Sequence, residues 1–308
     1  MVEITPAGDP RRIALELTED TRVARFKDLE IHLVTAGEAP AAMDEIGRIR
    51  EREFRKVGAG RNVARDIDSF DTGWPWYSQL ISWDPLERQI VAVYRAIHCS
   101  WAMRHGGLDA LRTSRLFRFS EPFVREYLAR SVELGRSVVN QEARRALQGL
   151  FSIWTGLGAM TREWPDVGYL FGNVSLYRSL PPDAVARITG YLFRHHRAEA
   201  GLVVGRIPYQ APRVDRHESP ETTAAEALEA VQREAGRAGW GFPPILLSYL
   251  KAHPGMLAFD AAVDADFGDA VEVAIAVPIN GLNPRTVLRF LDPYESTNPS
   301  RFVLPEAP

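Results

Sequence analysis

Two kinds of hydrophobic spacing divide the chain into predicted strands and helices. Apolar residues recur at about every second position in strands and at every third or fourth position in amphipathic helices. The first spacing predicts strands over residues 21–34, 76–83, 89–97, 131–139, 169–176, 255–264 and 270–277. The second predicts helices over residues 41–56, 145–163, 182–197, 222–238 and 285–291.

Details within these segments support the assignment. Asp84-Pro85 separates two runs rich in aromatic and β-branched residues, a pattern typical of a hairpin. The helix over 182–197 begins with Pro, whose missing N–H costs nothing at that position. The inward-facing positions of the first strands are Val23, Phe26, Ile31 and Leu33, and the apolar stripe of helix 145–163 comprises Leu147, Leu150, Ile153, Trp154, Leu157 and Met160.

The order of these elements favours one mixed α/β layer structure around a central sheet, rather than separate helical and strand domains. Residues 1–20 carry no clear pattern and are expected to form a weakly ordered N-terminal segment before a single domain over 21–308. Residues 201–240 become rich in Pro, Glu and Arg, and we interpret them as an inserted segment or lid.

Composition and charge exclude several classes of protein. The chain has 308 residues, of which 45% are hydrophobic and 25% charged, enough for a substantial core. A net charge of -3 gives no general attraction to nucleic acid. One cysteine allows neither an intrachain disulfide nor a cysteine-based zinc site, which fits a reducing compartment and predicts a cytoplasmic protein.

Motifs for other chemistries are missing from the sequence. The N-terminus has no signal-peptide pattern, and no apolar run approaches the roughly 20 residues of a spanning helix. The seven histidines lack ligand spacing, so we expect no metal site. There is no glycine-rich nucleotide loop and no serine nucleophile motif.

An acidic run follows the first helix. Asp66, Asp68 and Asp71 crowd a short loop, and Arg50 and Phe54 share one face of the helix before it. Carboxylates brought together raise one another's pKa unless a cation offsets them. Sequence chemistry alone favours a solvated acidic loop with a helix-end ion pair, and the alternative is a site for an amino substrate.

A second candidate lies in the predicted central strand. Strand alternation places Glu133 and Gly135 on one face, with Leu134 and Arg136 on the other. A buried glutamate needs a partner, so Glu133 either holds an arginine such as Arg95 or is ready to accept a proton. A core ion pair beside a strand glycine that marks a bulge explains the pattern equally well.

A third candidate joins this strand to the next helix. Helix N-termini bind anions, and Arg144 and Arg145 there could add charge-assisted contacts to a phosphate. Ordinary surface arginines are the alternative.

Taken in order, these groups resemble the pattern of the acyl-homoserine-lactone synthases. An arginine, an aromatic residue, an acidic group and a Glu-Leu-x-Arg strand recur there in the same sequence, although Asp66 stands where those proteins usually have glutamate. A longer resemblance, over residues 22–280, is to the hemolysin-like N-acyltransferases of ornithine-lipid and glycine-lipid synthesis in the GNAT superfamily. Its motifs lie at residues 50–54, 65–71, 114–117, 133–137, 169–175, 243–246 and 260–267.

The resemblance implies a GNAT-like fold, a central mixed and mainly antiparallel sheet flanked by helices. It implies transfer of a 3-hydroxyacyl group from acyl carrier protein, or from coenzyme A, to the amine of an amino acid such as ornithine or glycine. It implies neither a metal nor a permanently bound cofactor. The GNAT pyrophosphate loop is represented only by residues 141–146 without its glycines, which agrees with a carrier protein as donor. A lipid product would allow a peripheral membrane contact.

The resemblance also implies roles for residues, with Glu133 as the base that takes a proton from the amine. The catalytic set is Glu133, Arg136, Asp68 and Asp71; the substrate-binding set is Arg50, Phe54, Asp66, Arg95, Gly135 and Ser137; the acyl-donor set is Val138, Val139, Gln141, Arg144, Arg145, Phe171, Val174 and Ser175. The alternatives are an autoinducer-synthase-like enzyme with another amine acceptor and a noncatalytic protein that binds acyl carrier or lipid.

Overall fold

The structure is a computed structural model that describes residues 1–212 and 223–307. A β-sheet lies at its centre. Within those residues the strands are β1 (Arg22–Phe26), β2 (Leu29–Val34), β3 (Ser78–Asp84), β4 (Gln89–His98), β5 (Phe117–Phe119), β6 (Ser131–Val139), β7 (Tyr169–Leu176), β8 (Val203–Gly205), β9 (Leu257–Asp264) and β10 (Ala270–Pro278).

Helices pack on both sides of these strands. The α-helices are α1 (Pro10–Glu16), α2 (Pro40–Lys56), α3 (Ser69–Thr72), α4 (Cys99–Gly106), α5 (Glu121–Glu126), α6 (Ala146–Glu163), α7 (Pro182–His195), α8 (Ala224–Ala238), α9 (Pro244–Ala252) and α10 (Pro284–Thr286), and a π-helical turn, Val287–Leu291, follows α10. Short 3₁₀ turns lie at Glu19–Thr21, Leu108–Ala110, Arg112–Arg115, Leu128–Arg130 and Pro299–Phe302.

Eight of the strands form one sheet in the order β1-β2-β3-β4-β6-β7-β10-β9. Neighbours are antiparallel except β6 and β7, which are parallel. Residues of α6, α7 and α9 share one apolar core with one face of the sheet, and α2, α4 and α5 pack on the other face. The predicted mixed, mainly antiparallel α/β structure is therefore confirmed.

The predicted long elements are found, and the bounds of β6 agree with the prediction to the residue. On α6, Ile153, Trp154, Leu157 and Met160 are buried as expected, but Leu147 is 94% exposed because it lies in the first turn, before the helix meets the sheet. The periodicity missed α1, α4, α5 and α9, whose 6 to 9 residues hold too few turns to show a repeat.

The expectation of a weakly ordered N-terminal segment is wrong. Ile13 and Leu17 are buried against α2. Glu16 accepts hydrogen bonds from the backbone amides of Ala41 and Ala42, at 2.9 and 2.8 Å. These amides at the start of α2 have no partner within the helix, so α1 serves as its cap.

The described part of the segment over 201–240, residues 201–212 and 223–240, contributes to the core. Helix α8 packs against α7, and Ala227, Val231 and Ala235 are buried there. The predicted first residue of this helix, Thr222, lies outside the described residues. No helix in residues 1–212 or 223–307 is long and apolar enough to cross a membrane.

The close contact of β6 with β7 predicts a stability difference between two glycines. A Cβ at Gly172 would lie 2.4 Å from the carbonyl oxygen of Leu134, whereas a Cβ at Gly135 would meet nothing within 4 Å. Gly172→Ala should therefore lower the free energy of unfolding by about 1–3 kcal/mol. Urea unfolding would measure it with Gly135→Ala as the matched control, and equal stabilities would contradict the tight contact.

Candidate active site

The pairing between the two parallel strands ends halfway along them. Pairs run from Ser131 with Tyr169 to Leu134 with Gly172, and beyond that point the described parts of β6 and β7 are not paired. Strand β6 stays paired with β4 as far as Val139, and β7 stays paired with β10 as far as Leu176. Each strand thus follows its outer neighbour, and a wedge opens between them.

A cavity of about 830 Å³ occupies this wedge and continues on both sides of the sheet. On the side of α6 its lining is mainly apolar, from Tyr94, Leu134, Leu150, Val174, Trp240 and Ile245. On the opposite side its lining is polar, from Arg95, Arg112, Glu133, Arg136, Asp264 and Glu272. One space therefore joins an apolar compartment to a charged one through the gap in the sheet.

A bulge at Arg136 shapes the polar side. Tyr94 on β4 faces two residues on β6, Arg136 and Ser137, and Arg136 takes a φ of 53°. Because the bulge inserts one extra residue, the strand alternation shifts there. The prediction that Arg136 lies on the Leu134 face is therefore wrong, and its side chain lies on the same face as Glu133.

Two aromatic rings and one carboxylate hold Arg136. The guanidinium carbon lies 4.3 Å from the ring centre of Phe267 and 5.9 Å from that of Phe54. Its Nε forms an ion pair with Oδ2 of Asp66 at 3.1 Å, and Oδ1 of Asp66 accepts a hydrogen bond from Arg61 at 3.1 Å. Burial lowers the pKa of Arg136 below its ordinary value, and the charge of Asp66 opposes that shift.

The remaining acids of the run pair with buried arginines. Asp71 accepts two hydrogen bonds from Arg50, at 3.1 and 3.2 Å, and one from Gln79 at 2.9 Å. Arg95 bonds Asp68 at 2.8 Å and lies 3.4 Å from Asp71. Burial opposes ionisation of Asp71, but Arg50 and Arg95 hold its pKa well below the ordinary value.

These contacts correct the interpretation of the acidic run as a solvated loop. Asp66 and Asp71 are each 1% exposed, and Asp68 caps α3 through the backbone amide of Phe70. The cations that offset them are Arg50, Arg61, Arg95 and Arg136, because the tertiary structure brings these four side chains to the loop.

Glu133 is buried at the start of the wedge. Its Oε1 accepts hydrogen bonds from the hydroxyl of Tyr77 at 2.6 Å and the backbone amide of Thr113 at 3.2 Å, and its Oε2 accepts one from the Thr113 hydroxyl. Burial raises the pKa of Glu133, and these hydrogen bonds oppose the rise. Arg95, the expected partner, pairs with Asp68 and Asp71 instead.

A second buried glutamate lies on the far side of the wedge. Glu272 on β10 accepts hydrogen bonds from Ser175 at 2.9 Å and from Asn173. Close by, Arg112 bonds Asp264 at 2.7 Å. Burial raises the pKa of Glu272 to about 7.

The sequence matches known acyltransferases. Residues 49–154 match the acetyltransferase (GNAT) domain family. A glycine Nα-acyltransferase of Bacteroides thetaiotaomicron is 32% identical, over 99% of this chain and 94% of that protein. A glycine Nα-acyltransferase of Phocaeicola vulgatus is 31% identical, over 97% of this chain and 95% of that protein. The chain belongs to the family of these two enzymes.

The protein is thus a GNAT-type N-acyltransferase, and the noncatalytic alternative is set aside. The crystal structure of the acyl-homoserine-lactone synthase LasI overlaps with a TM-score of 0.37 and 12% identity, over 85% of this chain and 94% of that one. A likeness of that size supports no argument about the site.

Most residues that the sequence assigned to substrates line the acyltransferase cavity. These are Phe54, Arg95, Glu133, Gly135, Arg136, Ser137, Val138, Val139, Gln141, Val174 and Ser175. Arg50, Asp66, Asp68 and Asp71 do not line it but form the charged network behind Arg95 and Arg136. Asp68 and Asp71 thus lie behind the cavity wall, paired with Arg95, and their catalytic role stays a prediction.

Three residues of the expected donor set lie elsewhere. Phe171 is buried among Phe119, Phe123 and other rings on the side of α5. Arg144 pairs with Glu87, and Arg145 pairs with Asp28 and Asp84 near the β3–β4 turn. Both arginines are thus paired with carboxylates of the protein, Arg144 remains exposed, and their contact with a phosphate or a carrier protein stays a prediction.

Sequence reasoning missed Arg112, Asp264 and Glu272. A usable signal existed for Glu272, which is the one charged side chain within the apolar run Ala270–Val277. Arg112 and Asp264 gave no such signal, since only folding brings their separate segments to the wedge.

The charged network predicts a large stability effect at Asp71. Asp71→Asn leaves Arg50 and Arg95 buried with less compensation and should lower the free energy of unfolding by about 3–5 kcal/mol. Because the folded-state pKa is lowered, this stabilisation is complete above the ordinary aspartate pKa of about 4 and is lost as pH falls below it.

Urea unfolding at pH 7 and at low pH would measure both effects. Arg162→Gln is the control, since its pair with Asp292 is half exposed and should be worth less than about 1 kcal/mol. Equal losses in the two variants would contradict the network.

Proposed function

We propose that this acyltransferase moves a fatty acyl group, such as a 3-hydroxyacyl group, from the thioester of acyl carrier protein to the amine of an amino acid. The observation that carries the proposal is the cavity that joins an apolar and a charged compartment through the wedge. A thioester carbonyl placed in the wedge would have its acyl chain on one side and the amine on the other. The geometry suits amide formation.

The donor arm fits the open edge of β6. Ser137, Val138 and Val139 line the cavity, and in this part of β6 no described residue pairs with the strand on the β7 side. A pantetheine arm is extended and carries amides, so it can bond to this edge as an added strand would. Gln141 lines the cavity where the arm would leave towards the carrier.

The acyl chain fits the apolar compartment. Leu134, Leu150, Val174 and Ile245 line it together with Trp240, which follows α8. About 830 Å³ lies in the range of pockets that enclose most of a small ligand. The segment over 201–240 thus contributes to the wall that would contact the chain.

The loop before α6 supports a carrier protein rather than free coenzyme A. The amides of Ala143 and Ala146 donate to backbone carbonyls, both at 3.0 Å. Those of Glu142 and Arg144 donate to Asn140 and Gln89, at 3.2 and 3.3 Å. A pyrophosphate at a helix start is held by free amides. In this loop the four amides named above already donate hydrogen bonds within the protein.

The names of the relatives support glycine as an acceptor, and ornithine remains the other candidate. The charged compartment can accommodate an ammonium group, because Glu133, Asp264 and Glu272 all line it. Arg95, Arg112 and Arg136 line the same compartment and can face the substrate carboxylate.

The reaction forms one C–N bond and breaks one C–S bond. The acceptor ammonium loses a proton before its nitrogen attacks the carbonyl carbon, and a second proton leaves that nitrogen as the amide forms. The departing thiolate takes up one proton. Three hydrogen bonds fill three of the four lone-pair positions of Glu133, and we assign the second proton to the remaining one.

Removing the charge of Glu133 should slow the reaction without unfolding the protein. Glu133→Gln should lower turnover by about 10²- to 10⁴-fold, the usual contribution of a general base. Amide formation would be followed by mass spectrometry and the fold by circular dichroism. Glu163→Gln, outside the cavity, is the control, and wild-type turnover in Glu133→Gln would remove it from the mechanism.

Donor and acceptor can be identified in one screen. Hydroxyacyl carrier protein and the matching acyl-coenzyme A would each be incubated with glycine, ornithine and other amino acids, and the amides detected by mass spectrometry. We expect product with the carrier protein and glycine. Equal rates with coenzyme A would overturn the assignment of the donor, and no amide with any amine would overturn the proposed function.

A further inference from the structure

Glu272 is a buried carboxyl group within the sheet. It lies within the otherwise apolar strand β10 and is 1% exposed. A carboxylate in such a position is costly unless other groups compensate for its burial. Glu272 also lines the cavity, so its carboxyl group is in contact with the space inside the wedge.

Its hydrogen bonds leave one oxygen available. Ser175 and Asn173 both donate to Oε2, and no described residue donates to Oε1. At Glu133, by contrast, both oxygens are engaged by Tyr77 and Thr113. Glu272 is therefore the buried carboxylate with more capacity to accept a new donor.

The charges around Glu272 favour a cation. Asp264 faces it from β9, Arg112 from the loop after α4, and Tyr177 from the end of β7. Arg112 and Asp264 pair with each other, and Arg136, which also faces Tyr177 and Arg112, pairs with Asp66. The ionised Glu272 therefore carries one negative charge in excess of these pairs. Burial raises the pKa of Glu272 to about 7, the charge of Asp264 adds to the rise, and Ser175, Asn173 and Arg112 oppose it.

We propose that Glu272 receives the ammonium group of the acceptor amino acid and takes the proton that must leave before attack. An N–H bond of the ammonium breaks, the proton moves to Oε1, and the electron pair stays on nitrogen as the nucleophile. Glu272 becomes a neutral acid and returns the proton to water after the product leaves. This assignment rests on the proposed acyl transfer. Glu272 takes the proton that leaves before attack, and Glu133 takes the proton that leaves as the amide forms.

The test is the pH dependence of kcat/KM for the acceptor, measured with glycine and hydroxyacyl carrier protein. In the wild type this value should fall as pH drops through about 7, because Glu272 becomes protonated. Glu272→Gln should lose about 10²- to 10⁴-fold near neutral pH. The loss should shrink as pH approaches the pKa of the amine, because the free amine then arrives without a proton to give up.

Two comparisons separate this role from a structural one. Glu133→Gln should not recover at high pH, and Glu163→Gln should follow the wild-type profile. Glu272→Gln should also raise the KM for glycine but leave the KM for the acyl carrier protein unchanged. A loss in Glu272→Gln that is equal at every pH would overturn the inference.

Ser175→Ala provides a second variant if Glu272→Gln does not fold. It removes one donor that stabilises the carboxylate, so the acidic limb should move to higher pH by about one unit. An unmoved limb would overturn the inference while leaving amide formation, and so the proposed function, intact. No product from the wild type with any amine would overturn both.

Discussion

The end of pairing between β6 and β7 is the constraint on which the rest of the structure depends. Up to Leu134 and Gly172 the two strands are held together, and a side chain at Gly172 would prevent that contact. Beyond them, the bulge at Arg136 redirects β6 while β7 remains bound to β10. The wedge that results joins the two sides of the sheet through one cavity.

Buried charges are tolerated beside this wedge because they are arranged in pairs. Arg50 and Arg95 share Asp71, Arg95 also holds Asp68, and Arg136 faces Asp66. Breaking such a pair costs far more than forming it gains, so the network is better described as a rigid frame than as a source of stability. Through these pairs Arg95 and Arg136 are held at the wall of the cavity.

Two glutamates on neighbouring parts of one sheet have different surroundings, and that difference separates their proposed tasks. Glu133 accepts three hydrogen bonds through both of its oxygens. Glu272 accepts two through one oxygen and lies beside the Arg112–Asp264 pair. The same residue type thus has two different hydrogen-bond environments within one cavity.

The sequence by itself determined the long strands and helices, the α/β class and the placement of Glu133 in a buried central strand, because periodicity and a lone acid in an apolar strand are local signals. Short helices such as α4 lack a measurable period, and the burial of Asp66 and Asp71 depends on arginines distant in the chain. Only the tertiary structure decided on which face of the sheet Arg136 lies, because a bulge requires a partner strand. It also decided that Glu272 lines the cavity, because the cavity exists only where separate segments of the chain meet.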